Sequence, residues 1–208
     1  MNRRALLLML LIMIALVPAA AQPKQPPAGK PAAQIDLCTQ AGVALVNGQW
    51  RYSDARIVQV NPKTHDIEPK AGAADFDDSK WEVLDPTTLP QPRGPGRLCF
   101  AWYRIKLTIP QKVGDFDTTG ATVTLETVVD DYGEIWVDGK FPLQLDQDGG
   151  NVVNGWNAVN RVVLTRDARP GQQIQVAIFG INAPLSNPPD NFIFIRWARL
   201  DFHPPAPK

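Results

Sequence analysis

The stretch Cys99-Phe-Ala-Trp-Tyr-Arg-Ile-Lys-Leu-Thr-Ile-Pro110 decides the fold class, together with Val128-Val-Asp-Asp-Tyr-Gly-Glu-Ile-Trp-Val-Asp-Gly139, which follows it. The first segment alternates its side chains with a period of two, which is the pattern of a strand with one buried face. The second segment is predicted to end in a tight hairpin, because Asp138-Gly139 suits a type I′ turn. The face of the first strand that is predicted to be buried carries Cys99, Ala101, Tyr103, Ile105, Leu107 and Ile109.

Short strands are also predicted in the rest of the chain. Examples run from Ala121 to Val128, from Gln173 to Ile181 and from Phe192 to Phe202, and no long stretch has apolar residues at helical spacing. Val43 to Val46 and Trp50 to Tyr52 are predicted to form a hairpin around Asn47-Gly48. Many short strands with turn residues between them indicate an all-β protein, an antiparallel β-sandwich of the jelly-roll type.

The N-terminal residues predict export. Arg3 and Arg4 precede an apolar run from Ala5 to Val17 and small residues up to Ala21, which is the pattern of a cleaved signal peptide. The apolar run of about 13 residues is shorter than the roughly 20 that a membrane span needs. We therefore expect a secreted or periplasmic protein without a transmembrane anchor after cleavage. The predicted division is a signal peptide (1–21), a Pro/Ala-rich tether (22–40), the sandwich domain (41–203) and a Pro-rich tail (204–208).

Charge and reactive residues restrict the function. The chain has 21 basic and 21 acidic residues, so no broad basic field favours nucleic acid. His65 and His203 are the only histidines, too few for a histidine metal cluster, and we expect both at the surface. In an oxidising compartment Cys38 and Cys99 are predicted to form a disulfide, the alternative being two separate thiols.

Acidic groups provide the first candidate sites. Asp130, Asp131 and Tyr132 offer oxygen ligands and a flat ring for a saccharide, although the same residues also suit a plain turn. A structural calcium ion is the only cofactor that the sequence suggests. The acidic residues that would bind it do not have the spacing of an EF-hand loop. Its candidate ligands are Asp75, Asp77 and Asp78, with Asp146 and Asp148 as a second cluster.

Two loops rich in amides provide the other candidates. Trp156 with Asn157, and Asn182 with Asn187, combine an indole face with paired donors and acceptors, as a sugar requires. The alternative is that Trp156 caps the core and the asparagines stabilise turns. Glu126 and Glu134 are expected to face solvent rather than to form a catalytic pair. The remaining tryptophans, which are predicted to serve packing, are Trp50, Trp81, Trp102, Trp136 and Trp197.

Four motifs in order carry a resemblance to a known family. They are Phe76-Asp-Asp-Ser-Lys-Trp81, Trp102-Tyr-Arg104, Val129-Asp-Asp-Tyr132 with Ile135-Trp-Val-Asp-Gly-Lys140, and Arg169-Pro-Gly171. In this order they resemble the galactose-binding-like jelly roll that forms the sugar-binding domain of glycoside hydrolase family 2.

A second similarity is to the domain that precedes gluconolactonase-type β-propellers in bacterial exported proteins. Val113-Gly-Asp-Phe-Asp117, Gly155-Trp-Asn157 and the stretch from Gly180 to Pro189 carry it. Such a domain without its propeller implies an accessory module, and no lactonase activity follows from it.

The sequence therefore predicts a secreted, non-catalytic module that recognises saccharide through loops at one end of a β-sandwich. The alternative is a docking module for an exported gluconolactonase-like or glycoside hydrolase enzyme, with no sugar affinity of its own. An unrecognised hydrolase is a third hypothesis, for which the sequence offers no convergent catalytic set.

Overall fold

Strands make up nearly all the regular structure in residues 29–142 and 158–205, which are the residues that the computed structural model describes. No helix in these ranges is long and apolar enough to cross a membrane. The elements are β1 (Ala33–Asp36), α1 (Gln40–Leu45), β2 (Trp50–Asn61), β3 (Thr64–Glu68), β4 (Glu82–Leu84), β5 (Phe100–Thr108), β6 (Lys112–Val113), β7 (Phe116–Asp117), β8 (Thr122–Asp130), β9 (Tyr132–Val137), β10 (Asn160–Thr165), β11 (Gln173–Ile181) and β12 (Phe194–His203).

Two antiparallel sheets form a sandwich. The smaller sheet has the strand order β1-β12-β8-β10, and the larger has the order β3-β2-β5-β11-β9, with β4 paired to β2. From β8 onward, successive strands alternate between the two sheets. The predicted all-β antiparallel sandwich is confirmed.

The main core lies between the sheets. Leu125 and Phe202 from the smaller sheet, and Ile105 and Ile178 from the larger one, belong to one buried apolar cluster. All six side chains that were predicted on the inner face of the Cys99–Ile109 segment also belong to it, so that prediction is confirmed.

The predicted hairpin turn at Asp138-Gly139 is confirmed as well. Both residues have positive φ, 47° and 74°, as a type I′ turn requires. Val137 and Lys140 close it with two backbone hydrogen bonds of 2.8 and 2.9 Å.

The sandwich begins earlier than the sequence predicted. β1 lies within the predicted tether, yet it pairs with β12 along its whole length. Ile35 and Leu37 are buried, and the Trp50 indole N–H donates to the Leu37 carbonyl at 3.0 Å. The tether boundary at residue 40 is therefore wrong, because pairing with β12 and the burial of Ile35 and Leu37 place this segment in the sandwich.

A short helix replaces the hairpin that was predicted around Asn47-Gly48. α1 begins after Thr39, whose hydroxyl accepts the Gly42 N–H at 3.0 Å as an N-cap. Val43, in the helix, and Val46, its C-cap, are buried. The apolar residues that suggested a strand thus reach the core from one helical turn.

Cys38 and Cys99 are free, which corrects the predicted disulfide. The Cys38 sulfur accepts the Ala198 N–H at 3.2 Å, and burial raises the pKa of this thiol to about 11. The Cys99 sulfur lies near Gly94 in the main core, where burial also raises the pKa of its thiol. Each thiol therefore has its own contacts. The positions of two cysteines in a sequence do not show whether they lie close together in the fold.

Candidate functional site

The outer face of the larger sheet is aromatic rather than polar. The register places Trp102 opposite Phe179 and Phe179 opposite Glu134, so these three side chains form one row across β5, β11 and β9. Arg104, Ala177 and Trp136 form the next row. Trp102 and Arg104 are only 4% and 1% exposed. The prediction that β5 has a single buried face is therefore wrong.

Residues 69–81, here called the covering segment, bury this face. Its conformation depends on Arg104, whose guanidinium donates to the carbonyls of Ala71, Ala73 and Phe76. The Arg104 Nε also lies 2.7 Å from an Asp78 carboxylate oxygen. Arg104 thus joins two of the motifs noted in the sequence, Phe76–Trp81 and Trp102–Arg104.

A cleft of about 430 Å³ remains between the sheet and the covering segment. We call it the aromatic cleft. Gly72 lies directly against the Trp136 indole, since a Cβ on Gly72 would stand 2.7 Å from a ring carbon. The lining residues are Asp66, Ile67, Lys70, Gly72, Ala73, Trp102, Glu134, Trp136, Gly139 and Phe179.

The aromatic rings of the cleft pack at fixed angles. The Trp102 ring centroid lies 4.9 Å from that of Phe179 and 6.4 Å from that of Trp136, the two indoles being 64° apart. The Trp102 indole N–H donates to the Pro69 carbonyl at 2.8 Å, which fixes its orientation. These contacts make the walls of the cleft rigid and largely apolar.

Polar groups in the cleft are few and specific. Lys70 and Asp66 form an ion pair of 2.5 Å. Glu134 has no hydrogen-bond or ion-pair partner among the described residues, and burial raises the pKa of its carboxyl. The Trp136 indole N–H is buried and also lacks a partner within the described ranges. Glu134 is therefore the group of the cleft wall that remains open to a ligand, whereas the Trp136 N–H is shielded from solvent.

Two of the predicted ligand residues instead hold loops together. Asp131 is buried and accepts the Ala183 N–H at 3.0 Å. Asn182 is completely buried, and its amide donates to the carbonyls of Pro189 and Asn191 at 3.4 and 3.2 Å. This corrects their predicted contact with ligand, because both side chains are engaged inside the protein.

The other predicted ligand residues are dispersed. Asp130 is buried at the end of β8 and does not line the aromatic cleft. Tyr132 is half-buried and lies two residues before Glu134, on the same face of β9. Asn187 is exposed in a turn, where its N–H donates to the Pro184 carbonyl at 3.2 Å. Trp156 and Asn157 lie outside the described residues.

The predicted metal ligands do not form a metal site. Asp77 accepts the Ser79 N–H at 3.0 Å, and Asp78 is bound by Arg104 and lies 3.6 Å from Arg51. No group of three His, Cys, Asp or Glu side chains within residues 29–142 and 158–205 is arranged to hold a metal ion. This corrects the prediction for Asp75, Asp77 and Asp78, of which Asp77 and Asp78 make contacts that hold the covering segment. Asp146 and Asp148 lie outside the described ranges.

Sequence reasoning missed the residues that line the cleft. The sequence pattern assigns Trp102 and Trp136 to packing and predicts that Glu134 and Glu126 face solvent. Glu126 projects instead from the smaller sheet, where Arg161 and Arg199 bind it at 2.9 and 2.5 Å. The available signal was the succession of aromatic side chains at outward positions, where a sandwich exposed on one face carries polar residues.

Known structures share this fold. A glycosyl hydrolase family 2 member from Bacteroides cellulosilyticus superimposes with a TM-score of 0.52 and 12% identity, over 82% of this chain and 20% of that one. A β-glucuronidase from glycoside hydrolase family 2 gives 0.50 and 14%, over 86% of this chain and 18% of that one.

No model of a known protein family matches the chain, and no curated protein matches it significantly. The chain spans about one fifth of the length of the family 2 structures. The resemblance to a part of family 2 glycoside hydrolases is confirmed at the level of the fold, and the gluconolactonase similarity stays a prediction.

Proposed function

We propose that this protein is an exported, non-catalytic carbohydrate-binding module that holds saccharide in the aromatic cleft. The observation that carries the proposal is the combination, in one cleft, of aromatic walls with a carboxylate that has no side-chain partner among the described residues. The proposed site thus lies on the outer face of the larger sheet rather than in the loops at one end.

The chemistry of the cleft suits a sugar. The C–H face of a pyranose packs on aromatic rings such as Trp136, while its hydroxyls need donors and acceptors. Glu134 supplies an acceptor, and the ammonium group of Lys70 supplies donors beyond the one that Asp66 accepts. The volume of about 430 Å³ is in the range of small-molecule sites.

The non-catalytic role and the export are supported by separate observations. The family 2 structures share their fold with this chain over only about one fifth of their length, so their whole activity does not transfer. Glu126 and Glu134 project from opposite outer faces of the sandwich, as the inward positions of their strand neighbours Leu125 and Ile135 require. Export rests on the sequence of residues 1–21.

A glycan array followed by calorimetric titration tests the proposal. The purified protein is expected to give saturable binding to at least one oligosaccharide, equally with calcium and with chelator. The array being silent with folded protein would overturn the proposal.

Matched tryptophan variants locate the site. Trp136→Ala is expected to abolish binding, because it removes the ring that faces the cleft. Trp197→Ala, on the outer face of the smaller sheet, is the control, and binding should survive it. Thermal denaturation of both variants separates loss of the site from loss of the fold. Loss of binding in Trp156→Ala, with Trp136→Ala still binding, would move the site to the loops.

A docking role is the second candidate, favoured by exposed apolar side chains. Leu98, Leu185 and Phe192 are 46%, 58% and 38% exposed. They belong to loops that the Asn182 amide connects, because it donates to the carbonyl of Arg97 as well as to those of Pro189 and Asn191. Association with an exported gluconolactonase-like or glycoside hydrolase enzyme would be measured by gel filtration. Phe192→Ser should weaken it, whereas Ile57→Ser on β2, 49% exposed, should not.

A further inference from the structure

The charges that line the aromatic cleft do not cancel. Asp66 and Lys70 neutralise each other in their 2.5 Å ion pair, and Glu134 is the remaining charged group of the wall. Arg104 lies beneath the covering segment and is bound to Asp78. Lys140 follows the lining residue Gly139 but is exposed to solvent. Among the described residues, the wall of the cleft therefore carries one uncompensated negative charge.

This charge is unfavourably placed in the absence of a ligand. Burial raises the pKa of the Glu134 carboxyl, and no neighbouring group in the described ranges donates to it. A partly desolvated carboxylate without a partner has lost part of its favourable hydration free energy. A nearby cation compensates for that loss by electrostatic attraction.

The rings around Glu134 favour the same kind of ligand. Phe179 is directly opposite Glu134 on β11, and Trp136 is two residues further along β9 on the same face. The faces of aromatic rings attract cations, most strongly those of tryptophan. A carboxylate among aromatic rings is thus complementary to a protonated amine that is attached to an apolar ring face.

We infer that the saccharide is a cationic one, an amino sugar whose protonated amine lies beside Glu134 and against the aromatic wall that includes Trp136. The inference rests on the proposed carbohydrate binding and adds the chemical class of the sugar. It also implies that uronic acids are excluded, because their carboxylate would meet the charge of Glu134.

Three oligosaccharides with one β-1,4 skeleton test the inference. Glucosamine oligomers carry the amine, N-acetylglucosamine oligomers carry it as a neutral amide, and cello-oligosaccharides have a hydroxyl in its place. Titration of the purified protein at neutral pH and low salt is expected to show about tenfold tighter binding of the glucosamine oligomer than of either neutral oligomer. A lysine oligopeptide of equal charge controls for non-specific attraction to cations.

Two glutamate variants assign the preference. Glu134→Gln keeps the shape and removes the charge, so the affinity ratio of glucosamine oligomer to cello-oligosaccharide should fall close to one. Glu82→Gln, on β4 of the same sheet and outside the cleft, should keep the ratio of the wild type.

The outcomes separate the inference from the function on which it rests. A tenfold preference that disappears in Glu134→Gln supports the inference. Equal binding of the three oligosaccharides, a preference that survives in Glu134→Gln, or equal binding of the lysine peptide overturns it and leaves saccharide binding standing. Failure of every oligosaccharide here and on the glycan array overturns both.

Discussion

The two outer faces of this sandwich differ in how they meet the solvent. On the smaller sheet, Arg161, Glu126 and Arg199 form a row across three strands, with ion pairs of 2.9 and 2.5 Å. On the larger sheet, the corresponding positions are aromatic and need a cover, which residues 69–81 provide. Where that cover is incomplete, the apolar face becomes the wall of a cleft. Outward aromatic residues in neighbouring rows of one sheet therefore indicate a covered surface, whereas a single outward indole such as Trp197 does not.

The largest expected effect is on the group that holds the cover. Arg104→Met removes the donors to the carbonyls of Ala71, Ala73 and Phe76 and leaves Asp78 without its closest partner. Losing all the bonds of a completely buried guanidinium, opposite a half-buried carboxylate, should lower the free energy of unfolding by about 3 kcal/mol. Urea denaturation measures the loss.

The Lys variant sharpens this prediction. Arg104→Lys keeps the positive charge but lacks the forked guanidinium, so it should lie between the wild type and Arg104→Met. A loss of less than about 1 kcal/mol in Arg104→Met would show that the covering segment stays in place without this residue.

The next effect concerns the contact between cover and sheet. A Cβ at Gly72 would stand 2.7 Å from the Trp136 ring, so Gly72→Ala must displace either the segment or the indole. We expect a loss of about 1–3 kcal/mol in unfolding free energy, with loss of saccharide binding as the cleft changes shape. Chemical denaturation and calorimetric titration check the two parts.

Gly114→Ala is the matched control for the predicted loss of saccharide binding. Gly114 has a positive φ of 58° and no atom within 4 Å of an added Cβ. Its substitution should cost about 1 kcal/mol through backbone strain and leave binding intact. Loss of binding in both variants would mean that Gly72→Ala acts through stability and not through the cleft.

A smaller effect on the free energy of unfolding is expected from a change on the outer face of the smaller sheet. Glu126→Gln leaves Arg161 and Arg199 as like charges on either side of a neutral group. Because both arginines are partly exposed, the loss should be about 1 kcal/mol and should decrease with added salt. Saccharide binding should not change. A salt-independent loss comparable to that of Arg104→Met would contradict the difference drawn between the two faces.

The sequence predicted the parts of the fold that follow from local rules. Alternation identified the inner face of β5. The dihedral preferences of Asp138 and Gly139 identified the tight turn that follows β9. Both features depend on neighbouring residues alone. β1 escaped prediction because a four-residue strand is too short for its pattern to stand out from a tether.

The site was less predictable because it depends on contacts between distant segments. Asp75, Asp77 and Asp78 look like a metal-binding cluster in the sequence. Only the ion pair of Asp78 with Arg104 shows that Asp78 holds the covering segment instead. The polar groups of Asp131 and Asn182 suggest ligand contacts, but in the fold they bond to the backbone of neighbouring loops. Trp136 and Glu134 are ordinary strand residues until residues 69–81 are placed over them.

The smallest expected effect is a gain in stability at the centre of the cleft. Since burial raises the pKa of Glu134 above its ordinary value of 4.5, the folded protein binds this proton more tightly than the unfolded chain does. The ionised carboxylate thus costs stability at neutral pH, and Glu134→Gln should raise the free energy of unfolding by up to about 0.5 kcal/mol, a small gain because solvent still reaches the group. The gain should fade as the pH falls through the raised pKa toward 4.5, which denaturation at a series of pH values would follow. Glucosamine oligomer should reverse the order of the two proteins at neutral pH, because the cation stabilises only the charged cleft. A gain that is independent of pH would show that Glu134 is not the group whose charge opposes folding.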